Sequence, residues 1–240
     1  MTVTESAKLE GWAGLYKAGA WAAMAFVAMV FIPLFLVFSA PLPPAGDGAA
    51  LLDYIGAHPV VYIAQLVCFV GLSLPALLVF AALGPALFPA DRTKALLGSL
   101  VGIASEIVAL SVLSSPQSLH AGLPVLAAEW AKADALQRPS LAAAAQALSA
   151  TANTVTPAGI MTALAIMILS LGMRRSLAPR WFAVFGAIGG LAGVALEALR
   201  PFAGPLYMLY GLFLPAWFLI VGLLLFRLAR SSTAGREGID

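Results

Sequence analysis

Two carboxylates stand inside strongly apolar stretches of this 240-residue chain, and they are its first candidates for chemistry. Glu106 falls near the middle of one stretch, within Gly102-Ile-Ala-Ser-Glu-Ile-Val-Ala. Glu197 falls toward the outer end of another, within Gly193-Val-Ala-Leu-Glu-Ala-Leu-Arg-Pro201. An ionised side chain at mid-bilayer costs about 2.5–3.5 kcal/mol on insertion scales, so such groups face a bundle interior or a cavity, where they are paired, protonated or functional. Helical spacing points the same way. Gly186, Gly190, Gly193 and Glu197 share one face of a 3.6-residue helix, and Gly98, Gly102, Ser105 and Glu106 share a face of another. Small residues at such spacing mark the closest approach of transmembrane helices, so both acids are expected on packing faces.

Arg200 follows Glu197 by three residues, close enough to meet it on one helix face. The structural reading is an ion pair or a snorkelled arginine at the interface; the functional reading is an anion or proton site at the outer mouth. Glu106, with Ser105 beside it, has no partner legible in the sequence. Gln65, Ser111, Ser114, Ser115, Asn153, Thr154 and Thr156 could line the outer half of a cavity, or simply bond between helices. The only histidines, His58 and His120, border loops and have no second histidine or cysteine at ligand spacing, so no metal or cofactor is assigned, with haem or quinone a minor alternative. Cys68, the sole cysteine, allows no intrachain disulfide and reads as a small hydrophobe. No Walker loop or HExxH motif is present.

The elements that position these residues follow from composition. The chain is 62% apolar and 10% charged, against about 45–50% and about 25% for a soluble domain. Thirteen basic residues are scattered between apolar runs, which excludes the clustered basic face of a nucleic-acid binder. Six apolar stretches, about 18–40, 60–83, 95–115, 155–173, 181–199 and 206–226, each approach the ~20 residues that cross a ~30 Å hydrocarbon core. Barrel strands would be half as long and alternate in polarity. The expectation is an all-α integral membrane protein: about six transmembrane helices over 18–228, with short external amphipathic helices.

With the N-terminus inside, the cytoplasmic segments hold Lys8, Lys17, Arg92, Lys94, Arg174, Arg175, Arg180, Arg227, Arg230 and Arg236, whereas the other side holds only Lys132, Arg138 and Arg200. That bias places both termini in the cytoplasm. Residues 1–17 form the N-terminal segment, and 229–240 read as a disordered tail. Two external connections are long. Residues 41–59 contain Pro- and Gly-rich turns and then the helical-looking 49–55. Residues 116–154 suggest two short helices, one opening near Pro124 and an Ala-rich one from Pro139 that could run into the fourth span. They would form a lid that shields helix ends or gates a cavity. Pro33, Pro75, Pro157 and Pro215 are expected to interrupt the first, second, fourth and sixth spans. Trp217 is deep, and packs in the core or against a ligand.

The opening Gly11-Trp-Ala-Gly-Leu-Tyr16, the external Leu51-Leu-Asp-Tyr-Ile-Gly-Ala-His-Pro59 and the long segment before the fourth span resemble the uncharacterised DUF4386-type membrane proteins. The similarity covers about residues 11–228 and implies a bacterial inner-membrane protein; that family has no established activity, so it carries over no catalytic residue. Three functions remain open. One is binding or transport of a small amphipathic or lipid-like ligand in an outward-facing cavity near Glu106. Another is an accessory subunit whose glycine faces dock onto a membrane-protein partner. The third is a membrane enzyme using Glu106 and Glu197 as acid and base on a lipid or isoprenoid.

Overall fold

The computed structural model describes residues 11–36, 38–41, 43–44, 46–111, 122–151, 155–174, 177–203 and 205–234. Lys8, Arg175, Arg236, Ser114, Ser115, His120, Asn153 and Thr154 lie outside the described residues. In chain order the helices are α1 (Ala13–Leu36), α2 (Gly48–Ala57), α3 (Pro59–Gly71), α4 (Ser73–Leu87), α5 (Arg92–Leu110), α6 (Leu123–Trp130), α7 (Arg138–Thr151), α8 (Pro157–Met173), α9 (Arg180–Ala198), α10 (Arg200–Ala203) and α11 (Pro205–Ala234). No strand occurs among the described residues.

Five of these segments are long and apolar enough to cross a membrane: α1, α3 and α4 taken together, α5, α9 and most of α11. The apolar α8 has 17 residues, about 25 Å at 1.5 Å per residue. Neighbour packs on neighbour in a closed ring, α1–α11–α9–α8–α5–α4 and back to α1. The outward faces carry large apolar side chains, among them Leu96, Leu100 and Ile107 on α5 and Trp181, Ile188 and Leu191 on α9, all exposed. A soluble fold would turn such stripes inward. Apolar residues on both the inside and the outside of a helical ring define a membrane-embedded bundle.

The interior is filled, not open, over much of its depth. Phe26 stacks on Phe218 with ring centroids 3.9 Å apart, and Phe80 and Trp217 pack edge-on or tilted around them. Trp217 is fully buried and donates its indole N–H to Ser170 Oγ at 3.0 Å, so it is a core residue.

Glycine brings the helices together where the sequence spacing indicated. A Cβ on Gly98 would sit 2.6 Å from Leu169 Cγ of α8, and one on Gly102 would enter the Phe80 ring of α4. Gly186 and Gly190 face α8, while Gly193 faces the Tyr210 ring of α11. The two acid-bearing helices therefore do not pair as one interface; α8 stands between them in the ring.

Several boundaries differ from expectation. The second span breaks at Leu72 into α3 and α4. Pro75 offers no N–H to the Gly71 carbonyl, and its ring crowds that carbonyl. Pro157 does not interrupt the fourth span but begins it, at the first helical position where a missing N–H is harmless. Thr156 is extended, so α7 does not continue into α8. α11 runs on to Ala234, through six residues assigned to the tail. α5 ends at Leu110, with Ser111 extended; Glu106 is thus one turn from the helix end, not at its centre.

Three short helices form a cap at one end of the bundle. α2, α6 and α7, drawn from two separate connections, fold together over a small apolar cluster that includes Leu51, Leu52, Ile55, Leu123, Ala127 and Trp130. Asp47 caps α2, accepting from the N–H groups of Ala49 and Ala50 at 2.9 and 3.1 Å. Gly48 lies so close to the α7 backbone that any Cβ would strike the Ala142 carbonyl. Among the described residues, the opposite end carries Lys17, Arg92, Lys94, Arg174, Arg180, Arg227 and Arg230, and the capped end only Lys132, Arg138 and Arg200.

Candidate functional site

Polar side chains are sparse in the ring and gather at its capped end. Glu197, the penultimate residue of α9, is 4% exposed. Its Oε2 accepts from Thr156 Oγ1 at 3.1 Å and stands 3.5 Å from Arg200 Nη1. Its carboxyl rests directly over Gly159 in the first turn of α8, where a Cβ would collide with it. A negative charge there also suits the positive end of the helix dipole. The residues that the sequence offered as an anion or proton site, Glu197 and Arg200, are thus joined to each other and to the start of α8, an arrangement that pins α9 to α8.

Glu106 is placed differently. It is 5% exposed, and among the described residues it enters none of the three ion pairs, which are Lys94–Asp91, Lys132–Glu129 and Arg200–Glu197. Hydroxyls surround it instead. Thr162 Oγ1 of α8 donates to Oε1 at 3.1 Å, and Ser105 Oγ lies 3.3 Å from the same oxygen. Ser73, the first residue of α4, brings a third hydroxyl to the carboxyl. Ser105 also donates to the Gly102 carbonyl at 2.7 Å, and Thr162 lies 3.0 Å from Ser105. Two hydroxyl hydrogens on Ser105 and Thr162 serve these four contacts, so one more proton on the carboxyl has a place to go.

Further polar groups lie in the cap and on the outer part of α3. Among the described residues the hydroxyls of Tyr54 and Tyr62 are buried with no hydrogen-bond partner, although both residues belong to the apolar cluster of the cap. An unmet buried hydroxyl costs about 1–3 kcal/mol. Burial pushes the Tyr54 phenol pKa up, which keeps it a neutral donor. Gln65, one turn below Tyr62 on α3, is buried as well. Ser111, in contrast, is exposed at the end of α5, and His58 is half-buried at the α2–α3 joint, its ring 5.0 Å from Tyr54.

A polar latch holds the cap together. Trp130 of α6 donates its indole N–H to Asp53 Oδ1 of α2 at 2.7 Å, and the Arg138 guanidinium of α7 lies 5.0 Å over the same indole. Asp53→Ala removes a hydrogen bond to a charged acceptor, and a loss of about 1.5–3 kcal/mol is expected locally. Hydrogen exchange should accelerate in α2 and α6 while the protection of α5 and α8 stays unchanged.

The sequence singled out Glu106 and Ser105 as candidates but not Ser73, Thr162 or the latch. Ser73 and Thr162 are single hydroxyls in apolar helices; only the ring order puts them beside Glu106. Asp53 and Trp130 are 77 positions apart, and no local pattern joins them.

The chain matches no protein-family model, no curated protein and no solved structure.

Proposed function

We propose that the chain spans the membrane six times, α8 being the short span, with both termini in the cytoplasm and the cap outside. In this reading the polar layer beneath the cap binds or passes a small amphipathic or lipid-like molecule, with Glu106 as its polar or protonatable centre. The observation that carries the proposal is a buried carboxyl with no cation paired to it among the described residues, contacted by hydroxyls from three helices. The Tyr54 and Tyr62 hydroxyls, buried in the cap cluster without a partner among the described residues, add donors on the outer side of this layer. The subunit reading is weaker, because the glycine faces it needs for docking are filled from within the chain. The acid–base reading loses one of its two groups, since Glu197 is tied to Arg200 and Thr156.

Photolabelling with a diazirine-bearing twelve-carbon alcohol tests the site. Crosslinks are expected in the segments around Ser73, Ser105 and Thr162, and are expected to fall in Glu106→Gln. Equal labelling of both proteins, spread over the lipid-facing residues, would overturn it. Orientation has its own test in a Cys68→Ala background. A membrane-impermeant maleimide should label Asp134→Cys on intact cells and Arg92→Cys only after permeabilisation; the reverse order would invert the topology.

A further inference from the structure

We propose that a groove between the first turns of α1 and the last turns of α11, at the uncapped end, binds the headgroup of an anionic phospholipid. The groove measures about 480 Å³ and is lined by Gly14, Lys17 and Trp21 from α1 and by Phe226, Ala229 and Arg230 from α11. Deeper in the membrane the same two helices touch closely: a Cβ on Gly222 would lie 2.8 Å from Ala23 Cβ and 3.4 Å from the Ala20 carbonyl. Toward the end a groove opens between them, lined partly by small residues, with nothing among the described residues within 4 Å of a Cβ on Gly14.

The lining is ordered by depth. On each helix a cation and an aromatic residue are four positions apart, Lys17 with Trp21 and Phe226 with Arg230. α1 runs away from this end and α11 runs toward it, so both helices place the cation at the mouth and the aromatic ring one turn, about 6 Å, deeper. The Trp21 and Phe226 rings meet edge to face at 5.2 Å and form an apolar floor. Two basic side chains at the mouth, no acidic side chain among the described lining residues and an apolar floor open to the lipid suit one amphiphile: phosphate outward, acyl chain inward. A free phosphate would use the mouth alone and leave the floor unoccupied. Basic residues at this depth attract anionic headgroups, and aromatic rings favour the interface. The site is independent of the polar layer under the cap.

Quenching of Trp21 fluorescence by brominated lipid reads occupancy directly. The full chain in mild detergent is titrated with brominated phosphatidylglycerol, brominated phosphatidylcholine and inorganic phosphate, with Trp21→Phe subtracting the other tryptophans. Phosphatidylglycerol is expected to bind about thirty-fold more tightly than phosphatidylcholine, the effect of two basic side chains near a surface. The double variant Lys17→Ala/Arg230→Ala should lose that preference, and the charge-keeping swap Lys17→Arg/Arg230→Lys should retain it, which separates lost charge from lost fold. Equal quenching by the two lipids would overturn the site. Displacement of the lipid by inorganic phosphate at equal potency would overturn its assignment to a lipid, and loss of preference in the charge-keeping swap would overturn the electrostatic basis.

Discussion

Gly190→Val is expected to destabilise the bundle by about 3 kcal/mol or more, at the upper end of overpacking costs. A Cβ at this position would stand 2.6 Å from the Met167 amide nitrogen and 2.7 Å from the Ala163 carbonyl oxygen. Both are backbone atoms of α8, and no rotamer change moves them aside. α8 and α9 would have to separate along their length, which would also loosen the Thr156–Glu197 contact near their capped ends. The clash at Gly102 is with side-chain atoms of the Phe80 ring and not with backbone, so the smaller change Gly102→Ala should cost less. Gly211→Ala is the control: nothing lies within 4 Å of its Cβ, and alanine favours the helix by about 1 kcal/mol. Thermal unfolding in detergent should show Gly190→Val lower by about 6–12 °C, with Gly211→Ala unchanged or higher. Equal melting of Gly190→Val and wild type would mean that α8 and α9 are not packed as described.

Most of the membrane helices could be read from the sequence because lipid imposes a length and a composition on each. The burial of Gly186, Gly190, Gly193 and Glu197 on one face of α9 follows from the 3.6-residue repeat alone. What periodicity cannot report is which helix fills that face. Gly193 meets Tyr210 and Gly190 meets α8, though the two glycines lie three residues apart on one stripe. The same limit hid the neighbours of Glu106, because Thr162 follows from α8 lying next to α5 in the ring. Helix ends were misplaced where apolar composition outlasts helical backbone, as it does beyond Leu110. The cap was legible as short helices, but not as one folded unit: its cohesion rests on Asp53, Trp130 and Arg138, brought together across two connections.

Glu106→Gln should leave the fold intact and reduce capture of an amphipathic ligand by between about ten- and one-hundred-fold, the range for losing a hydrogen bond to a charged group. The amide keeps an oxygen acceptor for Thr162 and Ser105 and has nearly the same volume, so stability should stay within about 1 kcal/mol. Glu106→Leu separates packing from polarity. It leaves Ser105 bonded to the Gly102 carbonyl and Thr162 beside Ser105, so the local network survives in part, yet the acceptor is gone. A ligand that needs only an acceptor would tolerate glutamine and reject leucine. One that needs a charge or an exchangeable proton would reject both, and that is the outcome expected for a protonatable centre. Thr162→Val is the third arm: it removes the donor from α8 while keeping the carboxyl, and should weaken binding less than either change at Glu106. Binding by Glu106→Leu as strong as wild type, with all three variants folded, would assign the carboxyl to helix packing and leave the layer without a functional centre.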